Sequence, residues 1–180
     1  GATQWVIVGF GAIGQATARR LRALGARVTG VRRSGGSSDL VDRMIQPDAL
    51  SGVLPDADAV LMSLPLTAAT ENLADAAFFD RMKPGSLFLN VGRGGLVDEA
   101  ALLTALDAGK PAHASLDVVR EEPLSADSPI WTHPNITLTG HISANTMQSK
   151  QRTDQIFLQN VQRFLSGEPL INLVESEAFS

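Results

Sequence analysis

Residues 5–14 read Trp5-Val6-Ile7-Val8-Gly9-Phe10-Gly11-Ala12-Ile13-Gly14, a short apolar run that ends in three glycines spaced G-x-G-x-x-G. An apolar run of this length is expected to be a buried strand, and glycines at this spacing let it turn directly into a helix. Gly9 permits the tight turn, Gly11 lets the backbone approach a bound pyrophosphate, and Gly14 allows close packing of helix on strand. The first helical amides, around Ala12 and Ile13, then face negative charge. A turn that merely needs glycines gives the same letters, so context decides. Here short apolar runs alternate with helical patterns along the whole chain, which specifies a parallel sheet covered on both faces. The expected fold is α/β, a doubly wound parallel sheet of the Rossmann type.

The same alternation sets the other elements. A helix is expected over residues 13–24 with Gly25 ending it, and a second strand over 27–31, followed by a Gly/Ser-rich turn at 34–38. A short strand near Met44 and a short helix are expected within residues 39–54. Pro65 stops a strand over 59–64, and a helix is expected over 70–82. Lys83-Pro84-Gly85 turns the chain into a strand at 86–90. Asp98 can cap a helix running to about Ala108, with Gly109 behind it. Strands at 112–117 and 136–139 flank a long irregular stretch, and loops of that length in compact domains are often functional. In a final helix, about 145–165, Ile156, Phe157, Val161, Phe164 and Leu165 share one stripe.

Composition narrows the function. A chain of 180 residues fits one well-buried domain better than two. The net charge of −4 and the lack of a large Lys/Arg cluster argue against nucleic acid as a partner. With no cysteine, disulfides, thiolate nucleophiles and zinc-thiolate sites are excluded, and no metal site is expected. No apolar run approaches a membrane span and no signal pattern opens the chain, so a soluble cytoplasmic protein is expected. The first strand begins almost at residue 1, so an upstream segment is expected as well.

About 20 residues beyond the glycines, where an acid would bind the ribose 2′-hydroxyl of NAD, this chain has Arg32, Arg33 and Ser34. These donors suit a 2′-phosphate, and a charge-assisted hydrogen bond contributes about 1.5–3 kcal/mol. NADP is therefore expected over NAD, the alternative being a solvated basic pair on a surface turn.

Three further segments end or follow strands, where ligands bind in such sheets: Asn90-Val91-Gly92-Arg93, Asp117, and Gly140-His141. Arg93 can hold a carboxylate in bidentate fashion, polarise a carbonyl, or form a surface ion pair. His141, next to Gly140 after a strand, is the better proton donor of the three histidines, since His113 begins a strand and His133 precedes Pro134 in a loop. Glu122 lies in a proline-bounded loop that can reach it. A carboxylate beside an imidazole favours the protonated ring and keeps an acid available for carbonyl reduction.

The stretch Met82-Lys83-Pro84-Gly85-Ser86-Leu87-Phe88-Leu89-Asn90-Val91-Gly92-Arg93-Gly94-Gly95-Leu96-Val97-Asp98 resembles the signature of the D-isomer-specific 2-hydroxyacid dehydrogenases. Leu116-Asp117-Val118, Glu122-Pro123-Leu124, Pro129-Ile130-Trp131, His133-Pro134-Asn135 and His141-Ile142 fit the same family. The resemblance covers essentially all of this chain but only the cofactor domain of the family. It implies that Arg93 binds the substrate carboxylate and carbonyl, that His141 is the acid/base, and that Glu122 pairs with it. Leu64, Pro65, Leu66, Thr70, Val91, Gly92, Asp117 and Ser143 would line the cofactor, Asp117 near the nicotinamide end. Glu122 disfavours the similar formate dehydrogenase branch, which typically has glutamine there. Gly140 replaces the usual proline before the histidine, and Arg32 looks like the glyoxylate and hydroxypyruvate reductase branch.

Family members carry an N-terminal substrate domain toward which the last helix packs, and they commonly form homodimers. The resemblance thus implies that residues 1–180 are one dinucleotide-binding domain, which alone binds cofactor with weak or no turnover. Two other functions fit part of the pattern. A cofactor-sensing module or corepressor can keep the same three residues, whereas a beta-hydroxyacid dehydrogenase would need a catalytic lysine in a further helical domain.

Overall fold

A computed structural model describes residues 1–173. The chain divides into two compact units, Gly1–Gly140 and a second that begins at His141. The first holds strands β1 (Gln4–Val8), β2 (Arg27–Val31), β3 (Arg43–Ile45), β4 (Ala59–Met62), β5 (Leu87–Asn90), β6 (His113–Leu116) and β7 (Ile136–Leu138). Its helices are α1 (Ala12–Ala23), α2 (Ala76–Arg81) and α3 (Glu99–Asp107), and α4 (Met147–Leu165) belongs to the second unit. All strands pair in parallel in the order β3-β2-β1-β4-β5-β6-β7. The strand sequence reverses direction between β1 and β4, which is the topological switch of a doubly wound sheet.

Alternate residues of each strand serve different cores. Ile7, Val28 and Leu61 join Phe10 and Ala18 in one cluster. Val6, Val8, Val31, Val60 and Met62 join a larger cluster with Phe78 and Phe79 of α2 and Leu102 and Leu106 of α3. Burial on both faces is why the strands read as unbroken apolar runs. Phe79 and Phe88, both fully buried, meet edge to face with centroids 5.2 Å apart. Each such side chain contributes about 1.5–3 kcal/mol by leaving water.

Helix ends follow the local chemistry. Gly25 takes φ +82° and donates its N–H to the Arg22 carbonyl at 2.9 Å, closing α1. The Asp98 carboxylate accepts from the Ala101 amide at 3.1 Å and starts α3. At the amino edge of the sheet, Asp58 accepts from the Gln4 amide at 2.8 Å and from Lys83 Nζ at 2.6 Å. The Lys83 hydrogen bond holds the Asp58 carboxyl below its ordinary range.

The helix expected over residues 70–82 is shorter than its pattern. Only Ala76–Arg81 is α-helical, capped by Asp75, which accepts from the Phe78 amide at 2.8 Å. Upstream, the Asn72 and Ala74 amides donate to the Gly95 and Leu96 carbonyls at 2.9 Å, and Ala74 bridges Val97 in parallel. Asn72 has φ +51°, incompatible with a continuous helix. Pairing with a segment more than twenty residues away overrides the local preference here.

In the second unit, α4 opens with a capping box in which Thr146 and Ser149 exchange side-chain and backbone hydrogen bonds. After Gly167, Asn160 clasps the returning chain, accepting from the Ile171 amide at 2.8 Å and donating to its carbonyl at 3.0 Å. The expected apolar stripe is present, yet Phe157 and Phe164 are 65% and 75% exposed.

Candidate active site

The strands bring their carboxyl ends to a single line. Ile45, Val31, Val8, Met62, Asn90, Leu116 and Leu138 are the last residues of the seven strands, and each is in register with its neighbour. The residues that follow them therefore emerge along one edge. From β2 to β7 that edge spans five inter-strand steps, about 24 Å at ~4.8 Å per step.

Gly9 follows β1 at φ +95°, and a Cβ there would lie 2.7 Å from the Leu64 backbone nitrogen. A Cβ at Gly14 would meet the Gly9 carbonyl oxygen at 2.5 Å, so helix and strand touch as the spacing requires. At Gly11 a Cβ would meet nothing within 4 Å, which leaves the backbone open to an approaching ligand. No side chain caps α1. Its first amides, those of Ala12 and the exposed Ile13, therefore suit a pyrophosphate. Ser63 Oγ donates to the Gly9 carbonyl at 2.8 Å and fixes the turn from β4.

Arg32 follows β2, where a 2′-substituent would be read. Its amide donates to the Ile45 carbonyl at 3.1 Å and its Nε donates to the Gly35 carbonyl. Gly36, at φ +90°, lies so close that a Cβ would come within 2.7 Å of Arg32 Nη2. Gln46 Nε2 donates to the Arg33 carbonyl at 3.0 Å, while the Arg33 and Ser34 side chains are exposed. The turn thus holds the Arg32 guanidinium by its backbone side and leaves Arg33 and Ser34 in solvent, a donor set that fits a phosphate monoester.

After β4, Leu64 is half-buried, whereas Pro65 and Leu66 are exposed. Thr70 closes this turn: its Oγ1 accepts from the Thr67 amide at 2.8 Å and donates to the Pro65 carbonyl at 2.9 Å.

Asn90 organises the end of β5. Fully buried, it accepts from the Gly92 amide at 3.0 Å and donates to the Arg93 carbonyl at 3.0 Å. Arg93 is exposed, its Nη1 donating to the Gly92 carbonyl at 2.7 Å. A Cβ at Gly92 would strike Leu96 Cδ1 at 2.8 Å and the Leu64 carbonyl oxygen at 2.9 Å. Val91 packs partly buried on the α1 side of the sheet. After β6, Asp117 is buried at 5% exposure and accepts from Thr139 Oγ1 at 2.6 Å, joining the ends of β6 and β7. Glu122 Oε1 accepts from the Val119 amide at 3.2 Å.

Arg93, Asp117 and Glu122 all belong to the first unit. His141 and Ser143 belong to the second. His141 has φ +57°, a left-handed conformation that costs a non-glycine residue of order 1–3 kcal/mol. His113 Nε2 pairs with Thr137 Oγ1 at 2.9 Å, and His133 Nδ1 accepts from the Asn135 amide at 3.2 Å. Both bond to neighbouring residues of the first unit, Thr137 and Asn135.

Asn90, Ser63 and Thr139 had no assigned role in the sequence. Asn90 was the legible one, because an asparagine whose side chain bonds the amide two residues on is a common turn former. Nothing local marked Ser63 or Thr139, since their partners lie 54 and 22 residues away.

The sequence pattern for "D-isomer specific 2-hydroxyacid dehydrogenase, NAD binding domain" matches residues 2–143. The hydroxypyruvate reductase of Blautia hydrogenotrophica is 35% identical over 170 residues, 93% of this chain and 52% of that protein. An NADPH-dependent glyoxylate/hydroxypyruvate reductase from Sinorhizobium meliloti, solved with NADP and sulfate, is 34% identical. It superposes with a TM-score of 0.90 over 98% of this chain and 56% of its own. A D-isomer specific 2-hydroxyacid dehydrogenase from Xanthobacter autotrophicus Py2, solved with NADPH and MES, gives 0.90 at 33% identity, over 98% of this chain and 73% of its own. The chain spans about half or less of the length of the curated relatives it matches. A pattern matched over that much of the sequence settles the family: the chain belongs to the D-isomer specific 2-hydroxyacid dehydrogenases and represents their NAD-binding domain.

Proposed function

We propose that this chain is the NADP-binding domain of a reductase that converts a small 2-oxo acid to its D-2-hydroxy acid, with NAD as the alternative cofactor. The observation that carries the cofactor is Arg32, held by Gly35 at the end of β2 where NAD-using relatives of this fold place an acid. The Sinorhizobium and Xanthobacter structures were solved with NADP and NADPH, which supports the same choice.

NADPH supplies the hydride when bound. The amides of Gly11, Ala12, Ile13 and Gly14 would hold its pyrophosphate, and Arg32, Arg33 and Ser34 would hold its 2′-phosphate. Leu64, Pro65, Leu66, Thr70, Val91 and Gly92 line the path toward Asp117. Arg93 would hold the substrate carboxylate and polarise the carbonyl, and His141 would supply the proton that the carbonyl oxygen takes up on reduction. The products are the 2-hydroxy acid and the oxidised cofactor. The strained backbone at His141 supports its assignment, because such conformations persist where function needs them. A second domain that completes the substrate site, a homodimer and a cytoplasmic location belong to the same proposal. Among the described residues no helix is long and apolar enough to cross a membrane. The relatives named above are a dehydrogenase and reductases, which favours an enzyme over the sensing module.

Titration of the chain with NADPH and NADH tests the cofactor assignment. NADPH is expected to bind at least about tenfold more tightly, and Arg32→Ala to remove most of that difference. A preference for NADH in the unaltered chain would overturn it. The reaction is tested by turnover of the full-length protein on 2-oxo acids.

A further inference from the structure

Arg120 lies outside the residues assigned above, yet it ties together the loops that carry Thr70, Arg93 and Glu122. Its Nη2 donates to Asn72 Oδ1, and to the Gly95 and Val97 carbonyls at 3.5 and 3.4 Å. Its Nη1 lies 3.4 Å from Glu71 Oε1, and its backbone amide donates to Glu99 Oε1 at 2.6 Å. One side chain thus fastens the loop after β6 to residues 71–72 and to the segment 95–97 behind Arg93.

The loops it joins are in direct contact. A Cβ at Gly94 would fall 1.9 Å from the Val119 carbonyl carbon, and one at Gly95 would fall 2.8 Å from Leu66 Cδ2. Glu122 holds the Val119 amide, one residue before Arg120. Arg93 and Glu122 are therefore set by a shared stack of backbone, with Arg120 bonded along its outer side.

We propose that Arg120 is a positioning residue for the reductase reaction, holding Arg93 and Glu122 at a fixed separation. The proposal rests on the roles given to those two residues above. Cofactor affinity is expected to depend on it little. The turn at 65–70 is closed by Thr70, and the glycine loop by Ser63, without Arg120.

The test uses the full-length protein with Arg120→Ala and Arg120→Lys. In Arg120→Ala, kcat for a 2-oxo acid with NADPH is expected to fall about ten- to a hundredfold, the scale of a small misplacement of reacting groups. The NADPH dissociation constant should change less than about threefold, and Arg120→Lys should recover part of kcat. Hydrogen exchange of the amides at 93–97 and 119–122 should quicken in Arg120→Ala. An unchanged kcat in an active protein would overturn the proposal, as would losses of kcat, NADPH binding and melting temperature in proportion. If the unaltered protein turns over no 2-oxo acid, the proposed function fails; unaltered amide exchange would then overturn the clamp separately.

Discussion

Replacing His141 with asparagine is expected to lower kcat for the proposed 2-oxo acid reduction by the full-length protein about 10²- to 10⁴-fold, the usual contribution of a positioned proton donor. Asparagine is the informative substitute because the backbone here has φ +57°. Among non-glycine residues asparagine enters that region most readily, so folding is preserved while the acid is removed. The melting temperature should hold or rise slightly. KM for the substrate should move far less than kcat, since the proposed function gives the carboxylate to Arg93 and not to the imidazole. A histidine with only a structural role would give the reverse, a lowered melting temperature with kcat intact.

Gly94→Ala is expected to destabilise the fold by about 2–4 kcal/mol, or roughly 5–15 °C in melting temperature. The added Cβ would stand 1.9 Å from the Val119 carbonyl carbon and oxygen and 2.3 Å from the Arg120 nitrogen. All three are backbone atoms, so no side chain can swing aside and the two loops must part. Activity falls with stability, because the same loops carry Arg93 and Glu122. Gly11→Ala is the counterpart: its Cβ meets nothing within 4 Å. The melting temperature should be unchanged while nucleotide binding weakens. Differential scanning calorimetry of both variants separates a glycine required for packing from one required for a ligand.

The sheet was legible because two-sided burial leaves an unmistakable record. Arg27–Val31 is a strand with the bounds its apolar residues indicate, and the other strands differ by a residue or two at their ends. The glycine loop was equally legible, since backbone conformation and close packing at Gly9 and Gly14 restrict those positions to one residue type. The pattern over residues 70–75 suggests helix because nothing in it shows that the Asn72 and Ala74 amides pair with the distant carbonyls of Gly95 and Leu96. Arg120 is silent in the sequence for a related reason. A lone arginine in a loop carries no periodicity, and its significance lies wholly in acceptors brought to it by the fold. The stripe on α4 is plain in the sequence as apolar, but its pattern says only that a face is apolar, not what covers it.

Oxidation of NADPH by the full-length protein measures the proposed reaction itself. Glyoxylate, hydroxypyruvate and other small 2-oxo acids should each be offered with NADPH and, separately, with NADH. The expected result is NADPH oxidation that requires a 2-oxo acid, yields the matching D-2-hydroxy acid, and runs at least about tenfold faster in kcat/KM than with NADH. NADPH oxidation with none of these acids, by a protein that still binds the nucleotide, would overturn the proposed function.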